Sequence, residues 1–214
     1  MAGIQTLINS ATAISFDRRP VIAQTMSRGQ YLKTAERGAR VWKFIVSPSP
    51  GWRWESYRDV IEDLDTTDRI TEEQVSFAST SGMNWIMAYR GTLTSSELSG
   101  LTIDSTTSGT TFKLSASNTW TSTKYVFKKG DFIQPNTSRY PYTVTSDVLA
   151  SSSGLITVPV NRGIYTDVTL TGKTIIYGPS VKWYVKVTKM PTWTLTPGRL
   201  IQWNDDFELT ESLQ

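Results

Sequence analysis

The run Val181–Val187 constrains the fold most. Val181, Trp183, Val185 and Val187 alternate with Lys182, Tyr184 and Lys186. A period of two puts the first set on one face of a strand and the second on the other, so the segment belongs to a sheet buried on one side. Similar signals recur along the chain. Val41–Val46 is a dense β-former run closed by Ser47-Pro48-Ser49-Pro50-Gly51, which stops any regular element. Val75 and Phe77 alternate with polar neighbours, and Trp85–Tyr89 reads as a further strand between Gly82 and Gly91. Leu101/Ile103 and Phe112/Leu114 keep the two-residue spacing around Ser108-Gly109, which predicts a hairpin inside the Ser/Thr-rich stretch that also holds Trp120. Tyr125–Phe127, Phe132-Ile133, Tyr140–Val144 and Leu155–Val160 are short strands separated by turn chemistry, a spacing that suits a small barrel or sandwich. Ile201/Trp203 and Phe207/Leu209 predict a last hairpin around Asn204-Asp205-Asp206.

One helix is predicted, over about 56–65. Ser56 and Asp59 have capping-box spacing, and Tyr57, Val60, Ile61 and Leu64 make a single apolar stripe. Residues 1–35 show no helical period, and Ser27–Gln30 reads as a turn between two extended pieces. The fold class expected is mainly β. A β-barrel or sandwich domain built from 1–91 and 181–214, with the one helix, surrounds an inserted small β-barrel domain at 92–180.

Composition narrows function. The chain of 214 residues has no cysteine and no histidine. Disulfides, thiol chemistry and Cys/His zinc sites are therefore excluded, as is the commonest general base. A core can draw on eight Trp, nine Tyr and seven Phe. The N-terminus has no basic segment followed by an apolar run, and no stretch is long and apolar enough for a spanning helix, so neither a secretory leader nor membrane insertion is expected.

Charge is split rather than absent. Residues 1–53 carry eight basic side chains against two acids, +6, and residues 54–75 carry eight acids against two basic groups, −6. Such segments can pair within one fold or between copies. The candidate inter-subunit contacts are Arg28, Lys33, Arg37 and Arg40 on the basic side, with Glu55, Asp59, Glu62 and Asp63 on the acidic side. Because the acidic segment cancels the basic one, nucleic acid is not a required partner.

Other clusters have ordinary structural explanations. Asp205-Asp206 with Glu208 could supply the two carboxyls of a glycan hydrolase, but neighbouring Asp residues in a turn diverge into solvent. Trp52-Arg53-Trp54 with Trp193 could stack on sugars, yet three aromatics beside a helix start suit core packing. Glu55, Asp59, Glu62 and Asp63 lack a calcium-loop spacing. Lys128-Lys129-Gly130-Asp131 lacks the second glycine and the helix of a phosphate cradle and reads as a tight turn. No catalytic, cofactor or metal residue is assigned, and no enzyme activity is expected.

Two stretches resemble a known family. Phe127–Gln134, followed by Tyr140–Val148 and Ile156–Arg162, is similar to a module of bacteriophage tail-tip and baseplate proteins. Pro191–Leu195 with Ile201–Leu209 is similar to the end of the same kind of protein, and together the stretches cover about a third of the chain. The resemblance implies a distal-tail or baseplate-hub structural component. It further implies a tail-tube-like barrel assembling into a ring, often of six copies, that links the tube to the hub, with inserted domains docking other tail proteins. The expected location is then the virion, after synthesis in the host cytoplasm. A carbohydrate-binding receptor-recognition module of a tail is the other reading.

Overall fold

In the computed structural model the described residues are 3–19, 22–26, 30–36, 40–67, 70–77, 82–107, 109–116, 123–165 and 169–213. The protein is mainly β, built from several antiparallel sheets with three α-helices among the described residues. Contacts divide it into a unit of 1–74 and 184–214 and a unit of 75–183. The sequence reading put these cuts at 92 and 180.

The first unit contains α1 (Gly3–Ser10), β1 (Ala13–Asp17), β2 (Ile22–Met26), β3 (Leu32–Glu36), β4 (Lys43–Ser47), β5 (Trp52–Arg53) and α2 (Trp54–Thr67). Strands are numbered along the whole chain, which passes to the second unit within β6 (Glu73–Ser76) and returns within β15 (Lys182–Lys189). The closing strands are β16 (Trp193–Thr196), β17 (Leu200–Trp203) and β18 (Phe207–Glu211). The main sheet has the order β1-β4-β18-β15-β6. Phe44 lies opposite Phe16 on one side and Leu209 on the other, and Val46 lies opposite Phe207. In β15 Trp183, Val185 and Val187 are buried, as the period of two requires. Buried Glu211 accepts a hydrogen bond from the Trp42 N–H at 3.1 Å, tying the last strand to the entry of β4.

Three corrections concern helices. α1 was not expected; Ile4, Leu7 and Ile8 are buried at i, i+3 and i+4, and two turns offer too few positions for a period to stand out. A side chain on Gly3 would meet Leu64 at 3.1 Å, so α1 lies close against α2. α2 begins at Trp54, which places Ser56 inside the helix instead of at its cap, while Ile61 and Leu64 of the predicted stripe are fully buried. The capping box occurs on α3 (Ser95–Ser99), where Thr94 and Glu97 bond reciprocally. Trp85–Tyr89 is a 3-10 turn over Asn84–Met87, not a strand. Its hydrogen bonds are local, and Gly178 backs onto it so closely that a side chain there would reach the Met87 carbonyl at 2.9 Å.

The second unit contains β7 (Leu101–Thr107), β8 (Thr111–Ala116), β9 (Tyr125–Phe127), β10 (Phe132–Pro135), β11 (Tyr142–Thr143), β12 (Val148–Leu149), β13 (Leu155–Pro159) and β14 (Ile175–Tyr177). β7 pairs with β8 and β8 with β13. Bridges Val144↔Val160 and Thr102↔Thr174 then join β13 to β11 and β14 to β7, and β10 pairs with both β11 and β14. The hydrogen bonds thus close a six-stranded antiparallel ring, which leaves none of these six strands as a free edge. Its strands bury Leu101, Ile103, Phe112, Leu114, Tyr142, Ile156 and Val158. Phe112 and Tyr142 meet edge to face at 5.1 Å. The β7–β8 hairpin is the predicted one; Ser108 at its turn and Trp120 beyond it lie outside the described residues.

The predicted final hairpin does not form. β17 pairs with β16 and β5, whereas β18 pairs with β15 and β4. Asn204-Asp205-Asp206 therefore carries the chain from one sheet to the other. Pairing partners far away in sequence decided this, and a local pattern could not.

Candidate functional site: a groove at the sheet crossing and a hairpin arm

The crossing segment forms one side of a groove of about 460 Å³. Ser47, Pro48, Pro50 and Gly51 make one wall, and the strands of the β16–β17 hairpin supply Thr196, Leu200, Ile201, Gln202 and Trp203. Both prolines have fixed φ, so the first wall is stiff. The hairpin is held at its tip by the Trp54 N–H, which donates to the Arg199 carbonyl at 2.9 Å, and by an ion pair from the Arg199 guanidinium to Glu55.

Asn204, Asp205 and Asp206 line the polar end. Asn204 donates to the Thr192 hydroxyl at 2.9 Å. Asp205 pairs with Lys189 and accepts the Asp206 N–H, and the Lys189 ammonium holds its carboxyl below the usual range. The Asp206 carboxylate makes no hydrogen bond among the described residues. Glu208 points to Lys43 at 2.6 Å. Asp205 and Glu208 thus have separate lysine partners, and Asp205 is shifted opposite to the direction a glycosidic general acid requires.

The aromatic residues pack mainly on one another. Trp52 is buried, stacked on Tyr57 at 4.4 Å and edge to face with Trp203 at 5.8 Å, and Trp203 meets Phe207 at 4.9 Å. Trp54 and Trp193 contact each other at 5.3 Å with planes tilted by 31°. This is core and rim packing, not a flat stacking platform.

The second feature is the β2–β3 ribbon. Its strands pair with each other in full register, Ile22↔Glu36 to Met26↔Leu32, and among the described residues join no other sheet. Met26, Tyr31 and Leu32 at its turn end are 68%, 76% and 58% exposed. Three large apolar side chains on one exposed tip are more than the scattered surface hydrophobics of an ordinary monomer. Of the predicted turn Ser27–Gln30 only Gln30 lies within the described residues, and the exposure of Met26, Tyr31 and Leu32 leaves no signal in the sequence, because it depends on what the rest of the chain leaves uncovered.

The predicted contact residues scatter. Arg28 and Arg37 lie outside the described residues, Lys33 sits in β3 opposite Thr25, and Arg40 is half-buried before β4. On α2, Glu55 is paired with Arg199, Asp59 lies 3.4 Å from Arg58, Glu62 is exposed and Asp63 is half-buried. The Lys128–Asp131 turn is a structural clamp. Buried Asp131 accepts the Lys128 and Arg90 N–H groups at 2.8 and 3.1 Å, and Gly130 takes the left-handed φ of 97°.

Among the described residues no cluster of three or more ligating side chains could hold a metal ion, and no helix is long and apolar enough to cross a membrane. Neither protein-family models nor curated proteins give a match to this chain.

Proposed function

We propose that the protein is a non-enzymatic assembly subunit that works by binding further copies of itself and other structural proteins. The observation that carries this reading is the β2–β3 ribbon with Met26, Tyr31 and Leu32 exposed at its tip. A two-stranded ribbon is marginal in water by itself, and covering an apolar tip is what gives such an arm its stability. Basic residues around the arm favour a neighbour that presents acids.

The resemblance to phage tail-tip and baseplate proteins gives the assembly its setting. In that setting the chain forms or joins a ring, of six copies as in the proteins it resembles, between the tail tube and the baseplate hub. The closed barrel of the second unit supports the role of an inserted docking domain. Mass spectrometry of purified particles from the source phage should find the chain as a stoichiometric tail component. Its absence from intact particles would overturn the assignment to a virion.

A further inference from the structure

The groove at the sheet crossing carries an uncompensated charge at one end. We propose that it binds an extended segment of a partner protein in which a basic side chain stands next to apolar ones. This rests on the assembly reading and names the kind of partner that one surface takes.

Charge carries the argument. Two acids, Asp205 and Asp206, line the groove, and no basic residue does. Three cations on the surrounding elements are already held: Lys189 by Asp205, Lys43 by Glu208 and Arg199 by Glu55. Lys189 also feels the field of Asp206, but its ammonium bonds Asp205. The exposed Arg53 lies opposite Leu200, at the other end of β17 and about 10 Å along the strand from Trp203. Asp206 is half-buried, and its carboxylate makes no hydrogen bond or ion pair among the described residues. Such a carboxylate has lost water without gaining a donor, so a cationic donor brought to it gains more than at a fully solvated acid.

The rest of the groove decides what the cation is attached to. Pro48, Pro50 and Leu200 give apolar contact. Trp203 adds ring carbons only, since its indole N–H is enclosed and makes no hydrogen bond. A small hydrated cation would leave these walls wet. The volume of about 460 Å³ is roughly three times that of an apolar cavity that holds a benzene ring, so it takes more than one side chain. Residues on either side of the basic one fill what the cation leaves. The walls are also stiff, because the prolines fix φ and the Arg199–Glu55 pair ties the hairpin tip to α2. A preformed site loses little entropy on binding. A neutral glycan is the poorer match: it leaves the Asp206 charge uncompensated, and the Trp203 ring already packs against Trp52 and Phe207.

The test is titration of the full chain with the capped peptide Leu-Pro-Arg-Leu-Pro, followed by calorimetry and heteronuclear NMR. Two controls replace its arginine by citrulline, which keeps the shape without the charge, and by glutamate. The arginine peptide should shift the amide resonances of Gly51, Trp203 and Asp206. It should bind about tenfold tighter than the citrulline peptide, with a preference that shrinks as salt rises. Asp206→Asn should erase that preference, and the fold should survive because the carboxylate bonds nothing in its own chain. Leu200→Ser should weaken both peptides alike.

Equal binding of all three peptides, or no shift at the groove with millimolar arginine peptide, would overturn the proposal. So would shifts that map to the acidic face of α2 around Glu62 instead. Self-association of the chain that Asp206→Asn abolishes would give the groove to a second copy, and saturable maltose binding there would give it to a glycan; either overturns the proposal. Particle mass spectrometry and sedimentation decide the assembly reading separately, so failure of the peptide test leaves that reading standing.

Discussion

Glu97 shows how much local order one surface residue can hold. Its carboxylate completes the Thr94 capping box, pairs with Lys124 and is lowered to about 2, first by the Lys124 hydrogen bond and then by the Thr94 N–H. A depressed carboxyl contributes stability that is full above its unfolded value near 4.5 and is lost as pH falls toward 2. Unfolding measured against pH should therefore show the advantage of the wild type over Glu97→Gln shrinking through that window. Asp131 works in the interior. Asp131→Ala would orphan the Lys128 and Arg90 N–H groups, and denaturant unfolding should fall by about 2–3 kcal/mol. Burial raises the Asp131 carboxyl despite those bonds, which marks the clamp as dehydrated. Gly91 is constrained by contact: an added Cβ would lie 2.1 Å from the Tyr89 hydroxyl and 2.7 Å from the Val126 carbonyl. Since Tyr89 donates to that carbonyl at 2.7 Å, Gly91→Ala should cost about 2–3 kcal/mol by the same assay.

At the scale of elements, α1 and the arm differ in what covers them. α1 buries Ile4, Leu7 and Ile8 against its own unit, so Leu7→Ala should lower stability by about 2–4 kcal/mol. On the arm, Met26 and Leu32 lie opposite each other and are exposed, so their burial contributes little to the isolated chain. Substituting Met26 and Leu32 by Ser should leave thermal unfolding of the isolated chain nearly unchanged while suppressing association in sedimentation. Equal loss of both would show that the tip packs inside its own copy. The β16–β17 hairpin lies between these cases, since the Trp54 N–H and Glu55 hold its tip rigid while its strands line the groove.

At the scale of the whole molecule, opposite charges were set in adjacent segments, +6 in 1–53 and −6 in 54–75. Part of the acidic charge is satisfied within the first unit, as the Glu55–Arg199 pair shows. What remains acts between copies in the assembly reading. Light scattering should show smaller assemblies as salt rises, and Arg37→Glu with Arg40→Glu should reproduce that effect at low salt. Assembly unchanged under both conditions would assign the contact to the apolar tip alone.

The amino-acid pattern by itself determined the β class, most strand positions, the face of β15 that is buried and the β7–β8 hairpin, because a period of two is local and survives any topology. It also located the stripe of α2 from Ile61 and Leu64. Tertiary structure alone decided that Asn204–Asp206 crosses between sheets, that Trp85–Met87 turns instead of extending and that α1 is a helix. In each of these the local signal was short or ambiguous, and the winner was set by partners distant in sequence: Val46 for Phe207, Gly178 for Met87, Leu64 for Gly3. The groove and the exposed arm share that origin. A cavity exists only between elements that have already packed, and exposure is defined only by what the rest of the chain leaves uncovered.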